Sequence, residues 1–192
     1  MTTNTSNTLS IGVIGLGAMG KGMASSLRRA GHHVSVCDVR FDAAEAFAKE
    51  GGTAYKTPAD LAKQVDIIVS VVVNADQTEQ VLFGANGAAA HMKAGSLFIM
   101  CSTVDPNWSV ALEKRLNDMG LLYLDAPISG GAAKAASGQM TMMTSGQAAA
   151  YTKAGNALES MAANVYKLGD RAGYGSKVKI INQLLAGVHI AA

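Results

Sequence analysis

The residues best suited to chemistry lie late in the chain, where Lys179 sits about one turn into a helical pattern that begins at Tyr174. Gln183 follows four residues on, so the two project from one helix face, with Asn182 as a near neighbour. A lysine held in a closed cleft beside a cationic ring can lose its proton and act as a general base. A lone helix lysine is more often simply solvated, and Lys177, two places earlier, is the internal comparison for that outcome. Lys179 stands apart through the company it keeps. Ser129-Gly130-Gly131 sets a hydroxyl beside two unhindered backbone N–H groups, a nest for a carboxylate, against the plainer reading of a flexible loop.

A second constellation suits phosphates. Gly15, Leu16, Gly17, Ala18, Met19 and Gly20 follow the apolar run Ile11-Gly12-Val13-Ile14 and precede a helical pattern over residues 21–30. Strand, glycine turn and helix in that order make the dinucleotide fingerprint. Gly15 permits the turn, Gly17 lets backbone approach a pyrophosphate, and Gly20 allows close packing of helix on strand. Asp38 closes the next strand at roughly the ~20-residue distance where such folds place a ribose-binding acid. Its carboxylate can accept from both ribose hydroxyls and repels a 2′-phosphate, which favours NAD over NADP. Arg40 could instead pair with that phosphate. A helix cap is the structural alternative for Asp38, and Asp42 is expected to fill that role better. Ser102-Thr103 brings a hydroxyl and two amides to the crevice, and Val72-Val73 an apolar wall with carbonyls.

These residues need elements to hold them. Strands are expected at residues 11–14, 33–38, 54–55, 66–73, 96–100, 121–125, 139–144 and 164–168. Helices are expected at 21–30, 41–50, from Thr57-Pro58, and at 77–83, 108–119, 148–161 and 174–192. The run DIIVSVVV at 66–73 reads as a central parallel strand covered on both faces. Alternating strands and helices with right-handed crossovers give a doubly wound, mostly parallel α/β Rossmann sheet, followed by the start of a long interdomain helix. The domain reading is 1–170 for the dinucleotide-binding unit and 171–192 for that helix. The ligand crevice is then expected beyond the strand C-termini, where strand order reverses.

At 192 residues, half of them apolar and 21 glycine, the chain has room for one full α/β domain. A net charge of +2, evenly scattered, gives no footprint for nucleic acid or an anionic membrane, and no metal is expected. Residues 1–9 are polar, without a basic region or an apolar core, and read as a short frayed leader rather than a signal peptide. The longest apolar run is far below the ~18 residues of a membrane span. Cys37 and Cys101 sit in strand-like contexts and read as buried thiols, so a cytoplasmic location is expected.

GLGAMG at 15–20, CSTVDP at 101–106, DAPISGG at 125–131 and GYGSKVKIINQ at 173–183 together resemble the β-hydroxyacid dehydrogenase family. That family includes 3-hydroxyisobutyrate dehydrogenase and tartronate semialdehyde reductase, and the resemblance covers nearly the whole chain. It implies that Lys179 is the catalytic acid/base, that Ser129, Gly130 and Gly131 bind a substrate carboxylate, and that Thr103 and the 15–20 loop bind NAD. Many members carry Asn where this chain has Gln183, which implies an altered substrate pocket. The family also has a second, helical domain that closes over the nicotinamide and dimerises, so a dimer or tetramer is implied for a full-length form. The implied reaction is NAD-dependent oxidation of a small hydroxy acid, a sugar acid such as L-threonate being the expected substrate. An NAD-binding module without turnover is the rival from another class, and Lys179 argues against it.

Overall fold

The computed structural model describes residues 8–191. The leader expected over residues 1–9 lies, except for Thr8 and Leu9, outside them. Strands β1 (Ser10–Ile14), β2 (His33–Cys37), β3 (Thr53–Ala54), β4 (Ile67–Ser70), β5 (Leu97–Met100) and β6 (Leu122–Asp125) form one six-stranded parallel sheet in the order β3-β2-β1-β4-β5-β6. The order reverses between β1 and β4. Pairing brings Cys37, Ile14, Ser70, Met100 and Asp125 into one row, so the following loops all leave the sheet at the same edge.

Helices α1 (Gly20–Arg29), α2 (Phe41–Lys49), α3 (Pro58–Ala62), α4 (Ala75–Phe83) and α5 (Pro106–Asp118) connect these strands. Successive strand residues feed two cores, one on each face. Ile11, Val13, Val69 and Ile99 pack with Met23 and Leu27 of α1, whereas Ile14, Ile68, Phe98 and Tyr123 pack with Leu112 and Leu116 of α5. Burial on both faces is why these strands read as unbroken apolar runs rather than alternating ones. Three helices start on side-chain caps: Thr57 for α3, Asn74 for α4 and Asp105 for α5, with Pro58 and Pro106 at the first helical turn.

The rest of the chain departs from the expected pattern in instructive ways. Strands β7 (Ile128–Ser129), β8 (Met140–Thr144) and β9 (Ala162–Lys167) form a separate three-stranded sheet, joined to β6 by the Asp125–Ser145 bridge. The stretch between Gly131 and the strand expected at 139–144, to which the sequence assigns no element, contains helix α6 (Gly131–Ser137), whose AAKAAS core lacks the apolar periodicity that would betray it. The helix expected over 148–161 is two, α7 (Ala148–Ala154) and α8 (Ala157–Met161), divided where Gly155 adopts φ +54. Strand β4 ends at Ser70, not at Val73; Val71 and Val72 stay half-buried against the two cores, and Val73 is exposed. Arg40, not Asp42, is the residue from which α2 starts, leaving Asp42 in its first turn. The final helix, α9 (Tyr174–Ala191), runs as expected through the described residues. No helix among them is long and apolar enough to cross a membrane.

Candidate functional site

The glycine loop occupies the point where strand order reverses, between β1 and the residues that follow β4. Gly15 adopts φ +93, and a side chain there would meet the carbonyl of Val71 at 2.5 Å. A side chain at Gly20 would overlap the carbonyl of Gly15, so the helix can start this close only on glycine. Gly17 faces open space. Helix α1 has no acid in its first turn and, in contrast with α3, α4 and α5, no side-chain cap. Its first amides and the positive end of its dipole are thus left to an anion. Leu16 behaves differently from the rest of the loop: its side chain lies in the core and its N–H donates to Asp38.

Asp38 holds the loop as well as facing the crevice. Oδ2 accepts from the Leu16 N–H at 2.6 Å and Oδ1 from the Arg40 N–H at 2.8 Å. A carboxylate has about four lone-pair positions, so two remain for ribose hydroxyls. The Arg40 guanidinium is exposed, 3.9 Å from Asp38. Gly17 and Val71–Val73 line two adjoining clefts. One, of about 740 Å³, runs past Asp38 and Lys56. The other, of about 360 Å³, is lined by Gly17, Ala18, Met19, Thr103, Ile128 and Lys179 among others. Ser102 is buried and donates to the Val72 carbonyl at 2.8 Å, so it ties two crevice loops together while Thr103 faces the cleft. Val73 lines both clefts and its N–H donates to Gln77 Oε1.

The cofactor test is one of shape. A glycine with open space above it, an uncapped helix start and an acid at the end of β2 fit the pyrophosphate and ribose of NAD. The two clefts together give it room on both sides of the glycine loop.

Lys179 is 9% exposed and reaches the smaller cleft from α9, while Lys177 is exposed. Burial lowers the Lys179 ammonium from its ordinary range, and among the described residues no carboxylate pairs with it. Ser129 is half-buried at the end of β7. Gly130 and Gly131 follow at φ +139 and +78, backbone that glycine tolerates and other residues do not. Ile128 from this segment lines the Lys179 cleft. Asn182 and Gln183 are exposed on the next turn of α9 and are not among the residues that line it.

Sequence reasoning gave no role to Asp125, which the structure places at the root of the site. This carboxylate is fully buried. Its Oδ2 accepts from the Gly173 N–H (2.9 Å), the Ser176 N–H (3.0 Å) and the Ser145 hydroxyl (3.3 Å), and its Oδ1 from the Ser176 hydroxyl (2.7 Å). Burial pushes its pKa up, and the bonds from Ser176, Gly173 and Ser145 pull it back. These four partners all donate, the arrangement that an ionised carboxylate satisfies. Glu113 of α5 accepts from the Ala172 N–H just before α9, and burial raises its pKa too. An acid ending an otherwise apolar strand, LYLD, was the available signal.

Residues 10–169 match the NAD binding domain of 6-phosphogluconate dehydrogenase. The chain is 60% identical over 182 residues to L-threonate dehydrogenase of Cupriavidus necator, a match covering 95% of this chain and 61% of that protein. It is 43% identical over 183 residues to L-threonate dehydrogenase of Escherichia coli K12, with the same shares covered. Among solved structures it is similar to 3-hydroxyisobutyrate dehydrogenase from Salmonella typhimurium, at TM-score 0.90 and 45% identity, covering 94% of this chain and 63% of that one. The chain therefore spans about 61% of the length of the curated relatives it matches.

Proposed function

We infer the function from one premise: the chain belongs to the 3-hydroxyisobutyrate-type hydroxyacid dehydrogenase family and contains its NAD-binding domain. We propose that the protein oxidises a small hydroxy acid with NAD, L-threonate being the substrate and its 2-oxo acid, 2-dehydro-L-erythronate, the product. The observation that carries this is Lys179, buried in the same cleft as Gly17 and Thr103 while Lys177 two places earlier is exposed. NAD, when bound, supplies the hydride acceptor.

In this reading the Lys179 amine takes the proton from the substrate hydroxyl as the carbon-bound hydride leaves. Burial lowers its pKa, which makes the neutral, proton-accepting form easier to reach than for a solvated lysine. Ser129, Gly130 and Gly131 hold the substrate carboxylate. Gly15, Gly17, Ala18, Met19 and Gly20 hold the pyrophosphate; Leu16 helps by locking Asp38 to the loop. Asp38 binds the ribose, and Val72, Val73 and Thr103 wall the nicotinamide side. Residues 1–170 form the dinucleotide-binding unit, and 171–192 begin a helix that leads into a second domain. In that larger protein Asn182 and Gln183 would face substrate, and the protein would work as a dimer or tetramer. Two unpaired buried thiols, Cys37 and Cys101, support a cytoplasmic location.

The test is turnover in the full-length protein on a panel of hydroxy acids. Lys179→Ala is expected to lose on the order of 10²–10⁴ in turnover, with NAD affinity nearly unchanged, and Lys177→Ala to be close to silent. Equal behaviour of the two variants would remove Lys179 from the mechanism. Preference for a 3-hydroxy acid over L-threonate would favour the 3-hydroxyisobutyrate dehydrogenase activity for which the Salmonella protein is named.

A further inference from the structure

The helix that carries Lys179 has no cap of its own. Gly173, the residue before α9, offers no side chain, and the free N–H groups of the first turn find their partners elsewhere. Gly175 donates to Ser145 Oγ at 2.9 Å, and Ser176 donates to Asp125 Oδ2. Gly173 donates to the same oxygen, and the Ser176 hydroxyl completes the set at Oδ1. Asp125 ends β6 and Ser145 follows β8, so one carboxylate joins the parallel sheet, the smaller sheet and α9. Close approach is part of the design. A side chain at Gly175 would meet the Asp125 carbonyl at 3.0 Å and crowd that of Met143.

We propose that Asp125 is a positioning residue for the Lys179 site, setting the rotation and starting point of α9 through Ser176 and the Gly173 and Ser176 amides. Ser176 and Lys179 are three residues apart and share a helix face, so pinning one against Asp125 aims the other at the cleft. Lys177 lies about 100° around the helix from Ser176, on the face left to water. The carboxylate also suits the positive end of the α9 dipole, which a neutral cap would serve less well. Glu113, bonded to the Ala172 N–H, steadies the approach to the same turn. The catalytic consequence rests on reading Lys179 as the proton acceptor; the seating of the helix does not.

The experiment follows the titration of the Lys179 ε-carbon by NMR in the full chain made with isotope-labelled lysine, alongside NAD affinity by calorimetry. In the parent, Lys179 is expected to titrate below the ordinary 10.5. Losing a bond to a charged group raises the population of the unseated helix by about tenfold or more. Asp125→Ala should therefore move Lys179 back toward the ordinary value while NAD affinity stays within about twofold, because the glycine loop is untouched. Asp125→Asn, which keeps an acceptor in place, should restore part of the lowering. Asp125→Ala that binds NAD and leaves the Lys179 titration unmoved would overturn the proposal. So would a folded Asp125→Asn indistinguishable from Asp125→Ala. Should Asp125→Ala fail to fold, Ser176→Ala decides: a smaller move in the same direction supports the seat, and no move refutes it. Turnover of Lys179→Ala tests the base and the Lys179 titration tests the seat, so either reading can fail alone.

Discussion

At the scale of single residues, the site depends on charges held where water would normally carry them. Lys179 is the clearest case, because its folded pKa is lowered by burial. A cation with a lowered folded pKa binds fewer protons folded than unfolded, so stability rises with pH between the folded value and the unfolded 10.5. Lys179→Met removes that penalty. It is expected to raise Tm at pH 7, with the gain over the parent shrinking as pH approaches 10.5; thermal melts across that range check the slope. Asp38 makes a second residue-scale prediction. Since its carboxylate also holds the Leu16 N–H, Asp38→Asn is the informative change, keeping an acceptor while lifting the charge. NAD preference over NADP should narrow by about tenfold, the effect of one charge-assisted contact, with the exposed Arg40 free to pair with the 2′-phosphate. Calorimetry with both cofactors measures it, and tighter NADP binding by the unmodified chain would reverse the cofactor assignment.

At the scale of elements, the β1–α1 junction separates two uses of glycine that look identical in a motif. Gly20 lacks room for a side chain because the Gly15 carbonyl stands where one would go, whereas Gly17 has open space above it. Gly20→Ala should destabilise the fold by about 1–3 kcal/mol, the usual cost of overpacking, visible as a lower urea midpoint. Gly17→Ala should leave that midpoint in place and weaken NAD by about tenfold or more, since its methyl intrudes only where a pyrophosphate would lie. Equal urea midpoints for the two variants would show that the junction is looser than it looks. Gly22 belongs with Gly20: a side chain there would come within 2.6 Å of the Ala136 backbone N in α6.

At the scale of the whole molecule, α9 carries its apolar stripe into water. Ile181, Leu184, Leu185 and Val188 are each more than half exposed. Leaving such side chains exposed forgoes about 1.5–3 kcal/mol apiece relative to burial, which in sum is comparable with a domain's net stability. The 192-residue chain is therefore expected to self-associate through the 181–190 face. Sedimentation velocity across a concentration series checks it. A monodisperse monomer at every concentration would show that water tolerates this stripe.

What could be read from sequence alone was local. The glycine turn between an apolar run and a helix, the acid at the end of the second strand, and the Thr57-Pro58 helix start are each carried by a few neighbouring residues with strong backbone preferences. The parallel sheet followed from apolar runs that only burial on both faces explains. Helix α6 escaped because alanine and glycine carry no periodic signal, and the 148–161 helix was overextended because Gly155 alone marks its break. Spacing to Asn182 and Gln183, together with the family resemblance, favours Lys179 over Lys177; what puts one amine in the cleft and the other in water is the rotation of α9 against β6 and β8. That rotation is held by Asp125, 51 residues before Ser176, and by Ser145, 30 residues before Gly175. Hydrogen bonds over such separations leave no spacing for a sequence to display, so what seats the helix behind Lys179 is decided by the tertiary structure alone.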